Sequence, residues 1–477
     1  MKAPFSEYLN SLVPGFRKLL EILGRKYEYV SILSTDSAGL AVRISQHSKS
    51  VSNRTMMTER GTVVRVMRDG LYSEYSMDRF DPEHPEAAAE RISEEIDMQL
   101  ALLAACSAEV YRTGAIPDEP LELYVEKETA TLPEEACLPE LVDMLTELSD
   151  SAVKMSDELL DCSVSAQSTH VCKLFMTENR FLRQSYVYSE GNVIPIASRE
   201  GRNRFGFRAV SGLGGPELFE GLRSKMPEAV SDAIEMLGAE RIVPGEYEII
   251  TSPEISGLIA HEAFGHGVEM DMFVKGRALG AEYIGKRVGS ELVTMHEGAL
   301  SADNVASYAF DDEGTPAGDV TEIDRGILKS GICDALSAVR LGTAPTGNGK
   351  RQNFEHKVYT RMTNTIFSPG TDTLEDMIRS VKYGYLLEGM ESGMEDPKHW
   401  GIQCILQIGR EIRDGRLTGK IVSPVIMTGY VPDLLSGITM AGGDVMVFGS
   451  GGCGKGHKEW VKVSDGGPYF KTTGRLG

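Results

Sequence analysis

The chain has 477 residues, 41% apolar and 25% charged, which is ordinary globular composition and more than one hydrophobic core normally serves. Its formal charge of -21 repels phosphate backbones, so direct nucleic-acid binding is not expected. No apolar run approaches the roughly 20 residues needed to cross a bilayer, and no apolar h-region follows a basic start at the N-terminus. These features, with seven scattered cysteines and no C-x-x-C pair, suggest a cytoplasmic protein without a membrane span or a disulfide framework.

Ser6 to Gly24 reads as an amphipathic helix interrupted at Pro14-Gly15. Val30 to Gln46 and Gly61 to Met77 alternate with period two around Ser/Asp/Gly clusters and read as hairpins. The clearest helix runs from Pro85 to a closing Gly114, and a second covers roughly Leu132 to Met155. His170 to Ser198 reads as strands joined through Thr-Glu-Asn and Glu-Gly-Asn turns. GRNRFGFR, from Gly201 to Arg208, is the densest basic patch and reads as a strand with solvated arginines. A third helix lies within Pro216 to Glu240, and a domain boundary is expected near its end. The second half is glycine-rich and poorer in long helices.

Glu246 to Asp271 opens as a short strand, turns at Ser252-Pro253 and continues as a helix carrying HEAFGH, with Ser252 as cap and Pro253 at the first helical position. His261 and His266 are five residues apart. On a regular helix that spacing separates two rings by about 140°, whereas the four-residue spacing of H-E-x-x-H puts them on one face. A π-bulge, or a helix that ends between them, would bring the rings together, and Gly265 and Gly267 would ease either distortion. Glu262 stands where a general base can reach water at a metal without ligating the metal itself. A pair of ordinary core histidines is the competing reading.

HEAFGHGVEMD, SYAFDDEGTPAGD (307–319), PTGNGKRQNF (345–354), RMTNTIFSPG (361–370) and GSGGCGKG (449–456) occur in this order. Together they resemble the TldD/PmbA family, strongly from about Val243 to Gly456 and more weakly over residues 1 to 240. The resemblance implies a TldD-type zinc metallopeptidase. His261, His266 and Cys453 would be the metal ligands and Glu262 the base activating water at the Zn2+. Two imidazoles and a thiolate leave one tetrahedral position open, as a catalytic site requires. The implied fold is α+β: an N-terminal domain of antiparallel sheet with long helices (1–240) and a β-rich C-terminal domain carrying the metal-binding helix (241–477). The implied partners are an unfolded or extended peptide substrate, which a sheet edge could take up as an added strand, and a second subunit, either a like chain or a PmbA-type one. The alternatives are a non-catalytic binding or regulatory subunit that retains the metal site, and a cysteine hydrolase using Cys453 with a histidine.

Glu269 and Asp271 are candidates for orienting an imidazole N–H, or else solvated residues at a helix end. Arg361 and Asn364 are candidates for pairing with a peptide backbone, or else for fixing loops; Asn348 favours the latter. His296 and His457 are rival ligands to be checked.

Overall fold

The computed structural model describes residues 1–106, 110–456 and 459–477. Its first half is a nine-stranded sheet, whose main path runs Leu71–Met77, Arg60–Arg68, Tyr29–Ile44, Leu159–Met176, Arg180–Arg199, Leu121–Glu126. Every neighbouring pair is antiparallel except the last, in which Leu121–Glu126 runs parallel to Arg180–Arg199, a departure from the expected antiparallel sheet. Period two sorts the side chains. Even-numbered Ile32, Val42, Val164 and Leu174 lie under the helices Glu7–Gly24, Pro85–Ala105, Leu138–Val153 and Leu222–Glu235. On the opposite face Leu33, Phe175, Tyr186 and Tyr188 pack against Ala299, Val305, Tyr308 and Phe310 from the second half.

Several local expectations change. Tyr29–Ile44 is one strand, not a hairpin, and it exchanges one neighbour for another along its length: Arg60–Met67 first, then Lys49–Ser52. Gly39 lies inside it because a Cβ there would fall 2.4 Å from Thr58 Oγ1. Glu190-Gly191-Asn192 is likewise strand interior, with Gly191 facing Leu222. The turns at Asp69-Gly70 and Thr177–Asn179 are present. Glu7–Gly24 continues through Pro14, because the buried stripe Leu9, Leu12, Phe16, Leu19 and Leu23 outweighs one lost hydrogen bond. The helix from Pro85 ends at Ala105, short of Gly114; the expected continuation over 107–109 lies outside the described residues.

In the second half, Gly245–Thr251, Tyr383–Asp396, Gly401–Arg413, Val425–Tyr430 and Phe470–Leu476 pair in sequence, and the last returns to the first. They make a closed five-stranded barrel, which leaves no edge along those pairings. A second sheet of six short strands includes Met295–Glu297, Asn364–Phe367, Ser464–Gly467 and Met446–Phe448. The helix Pro253–Ala260 lies between barrel and sheet, burying Ile255, Leu258 and Ile259 against Leu387, Leu406, Phe367 and Phe470. Burial on two sides fixes its direction and so aims HEAFGH at the junction. Among the described residues no helix is long and apolar enough to cross a membrane.

Candidate metal centre

Ser252 accepts from the Ile255 N–H and Pro253 takes the first helical position, so the helix starts where capping chemistry places it. Regular geometry lasts to Ala260. From His261 to Gly265 the turn widens, and the His266 N–H bonds to the His261 carbonyl, five residues back; a tight turn over His266–Val268 then ends the helix. Of the two distortions open to the sequence, the widened turn lies between the histidines, whereas the helix ends only after His266. The two rings stand 5.1 Å apart between centroids, nearly perpendicular at 86°. Gly265 adopts ordinary helical angles (φ -58), and its lack of a side chain serves packing: a Cβ would fall 2.2 Å from Met362 Sδ.

Cys453 arrives on the hairpin Gly452–Lys455/Glu459–Lys462, 187 residues from His266, with its Sγ 3.2 Å from His266 Nε2. Ligand atoms of His261, His266 and Cys453 all lie within 4.8 Å of one another. A tetrahedral zinc with bonds of about 2.0–2.3 Å would space its ligand atoms about 3.5 Å apart, so this donor set fits such an ion after a shift of about 1 Å.

The electrostatics agree with that fit. Burial alone would raise the Cys453 thiol, but the charge on His266 and then His261 holds it well below its ordinary value. Burial alone would depress His261, but the Cys453 thiolate raises it to about 9. These opposing shifts favour a thiolate beside protonated imidazoles, the charge pairing a cation at this position would replace.

Glu262 is buried next to His261, and a Cβ on Gly393 would fall 2.6 Å from Glu262 Cγ, so only glycine lets that strand pass so closely. Glu269 Oε2 lies 3.1 Å from His266 Nδ1 and also faces Lys455 Nζ at 3.0 Å. Asp271 does not back an imidazole; its carboxylate pairs with Lys455 at 2.7 Å and Lys275 at 2.9 Å.

Arg361 and Asn364 are both buried and hydrogen-bonded within the fold, the loop-fixing alternative. Arg361 is 1% exposed and donates to the carbonyls of Cys453 (2.8 Å) and Glu459 (3.0 Å), clamping the cysteine hairpin. Asn364 is fully buried and donates to Gly298 O and Ser307 Oγ, both at 3.1 Å. Asn348 donates to Glu297 and to the Arg361 carbonyl, a loop-fixing role. His296 pairs with Asp319 and stands outside the ligand cluster, and His457 lies outside the described residues.

Two carboxyls near the site carried no sequence signal. Burial, opposed by His266 and reinforced by Glu262, pushes Glu395 up to about 9, and neither of its oxygens has a partner. Asp465, from the strand Ser464–Gly467, is pushed up to about 7 by burial, against the opposing charge of His261.

Residues 244–471 match the family described as PmbA/TldA metallopeptidase C-terminal domain. A metalloprotease of Methanothermobacter thermautotrophicus is 30% identical over 280 residues, 58% of this chain and 60% of that protein. The zinc metalloprotease TldD homolog of Saccharolobus solfataricus is 31% identical over 230 residues, 48% of this chain and 50% of its own length. The chain thus spans less than two thirds of the length of either relative. The crystal structure of TldE from Thermococcus kodakarensis has the same fold, with a TM-score of 0.74 at 18% identity, covering 97% of this chain and all of that one. Residues 244–471 thus fall within the PmbA/TldA metallopeptidase C-terminal domain family, and the whole chain shares its fold with TldE.

Proposed function

We propose that this protein is a zinc-dependent peptidase that hydrolyses unfolded or extended peptides. The observation carrying this reading is the convergence of His261, His266 and Cys453 within 4.8 Å, beside Glu262. Bound there, Zn2+ would supply a Lewis acid and lower the pKa of water at its open fourth position. His261, His266 and Cys453 would hold the ion through two neutral donors and one anionic donor. Glu262 takes the proton from the attacking water and delivers it to the leaving amine. Glu269 fixes the His266 ring through Nδ1, 3.1 Å away.

The substrate segment lies along residues 388–396, the part of the strand Tyr383–Asp396 that extends past its pairing with Gly245–Thr251 and runs over the motif helix at Gly393. The chain divides near residue 240. One core is formed by residues from 242 onward and two others by residues up to 237, which supports domains of 1–240 and 241–477. The subunit works as a dimer, with a like chain or a PmbA/TldE-type partner, and the likeness to TldE supports such an assembly. All seven cysteines are free, which supports a reducing, cytoplasmic setting.

The test is Glu262→Gln, assayed with zinc on an unstructured peptide. Cleavage should fall about 10²–10⁴-fold while zinc content is unchanged; wild-type turnover would refute the base assignment. Chelation should abolish wild-type cleavage. Undiminished activity after complete zinc removal would favour a Cys453–His266 nucleophile pair, 3.2 Å apart, which needs no metal.

A further inference from the structure

Only one of the two ligand imidazoles has a visible support. His266 Nδ1 faces Glu269, whereas His261 Nδ1 is buried and has no hydrogen-bond partner. Such an orphan is costly unless a group stands ready to engage it. A second orphan lies on the same side of the helix: Asp465 Oδ1, equally buried and equally without a partner.

Helix geometry places the two on one face. Side chains on a helix lean toward its N-terminus, so the His261 ring covers the turn that includes Gly257, four residues earlier. Asp465 Oδ1 sits over that same residue, and a Cβ on Gly257 would fall 2.7 Å from it and 2.7 Å from the Gly466 amide. The absent side chain at Gly257 is what admits the strand Ser464–Gly467, with its carboxylate, to the helix face that His261 shares one turn on.

We infer that Asp465 is the positioning residue for His261, accepting a hydrogen bond from its Nδ1–H and so committing Nε2 to the metal. The inference rests on the proposed metal set. Both atoms are without hydrogen-bond partners in the structure, so the bond forms as Nε2 is drawn toward the ion and the ring closes on Asp465. The site then has a matched pair of supports, Glu269 behind His266 and Asp465 behind His261. The two arise from opposite ends of the domain, and each presents a carboxylate to an Nδ1.

The test is zinc affinity of the full-length protein, measured by competition with a chromophoric chelator, for wild type, Asp465→Asn and Asp465→Ser. Asn keeps the shape and removes the charge; Ser removes the carboxylate without adding volume. Both variants should bind Zn2+ about 10–100-fold more weakly. In a His261→Ala background, Asp465→Asn should change affinity by less than about twofold, because its partner ring is gone. Affinity within twofold of wild type for both single variants would overturn the proposal. An equal loss with and without His261 would also overturn it, since that would mark a general packing role. The absorption spectrum of the Co2+-loaded protein separates this from failure of the ligand set. A thiolate-to-cobalt band in the wild type with unaltered affinity in the variants rejects Asp465 alone, whereas no such band rejects the ligand set and Asp465 with it.

Discussion

Glu269 is 2% exposed and faces three positively charged or proton-bearing groups: Lys455 at 3.0 Å, His266 Nδ1 at 3.1 Å and Arg361 Nε at 3.7 Å. Burial alone would raise its carboxyl, but Lys455, then His266 and Arg361, hold it down to about 2 against an ordinary 4.5. The folded protein keeps Glu269 ionised where the unfolded chain is already protonating it. Its contribution is therefore complete above pH 4.5 and is lost as pH falls toward 2, about 3 kcal/mol across that window. Glu269→Gln should be less stable at pH 7 by roughly 3–5 kcal/mol, having left buried cations uncompensated. It should also lack the acid-dependent slope; urea unfolding at pH 7, 5 and 3 checks both, and a curve parallel to wild type would refute the ionic role. Residues of this kind divide by how local their cue is. His261, Glu262 and His266 are legible because their chemistry lies within six consecutive positions, and Cys453 because a family motif surrounds it. Asp465 and Glu395 come from other strands with no local pattern. Arg361 stayed open between a substrate contact and a loop clamp, because a polar residue in a motif does not reveal whether it points outward or inward.

Glycine carries most of what the sequence misstated about the elements. Asp69-Gly70 is a true hairpin turn, both residues having positive φ. Gly39 and Gly191 looked similar but lie inside continuous strands, where a neighbouring segment comes too close for any side chain. Composition cannot separate the two uses, because the second depends on what packs there from elsewhere in the chain. Gly265 belongs to the same class. The widened turn between the histidines was foreseeable from their spacing, but the reason for this glycine is Met362, nearly a hundred residues later. Gly265→Ala places a methyl against a sulfur that is itself fully buried and packed with Cys453 and Val461. Overpacking of this kind should cost about 1–3 kcal/mol. Adding Met362→Val, which shortens the obstructing side chain, should recover part of the loss. A double-mutant cycle by urea denaturation should show coupling of at least about 0.5 kcal/mol, and strictly additive effects would mean the contact is not the cause.

Across the whole molecule, the two halves join through the second face of the nine-stranded sheet, and this junction reaches the proposed metal centre. Barrel closure brings Gly245–Thr251 beside Phe470–Leu476 from the other end of the domain, a pairing no local pattern could announce. The junction is equally non-local. Glu190, on the face turned away from the helices, meets Lys462 Nζ at 2.8 Å, and the same ammonium donates to the carbonyls of Gly449 (3.0 Å) and Gly451 (2.6 Å). Those carbonyls belong to the loop that delivers Cys453, and Lys462 pairs with Gly452 across the cysteine hairpin. A first-half carboxylate thus anchors the cation that gathers this loop. Glu190→Gln should leave Lys462 buried without a countercharge, at a cost of about 3–5 kcal/mol. It should also loosen the thiolate, weakening zinc binding by roughly tenfold, as losses around ligands generally do. Leu145→Ala is the control: it empties a fully buried position in a core on the far side of the sheet, at about 2–5 kcal/mol, with no route to the hairpin. If lost stability alone governed metal binding, both variants would weaken it equally. If the Glu190–Lys462 tie positions Cys453, chelator competition should register a change for Glu190→Gln and none for Leu145→Ala.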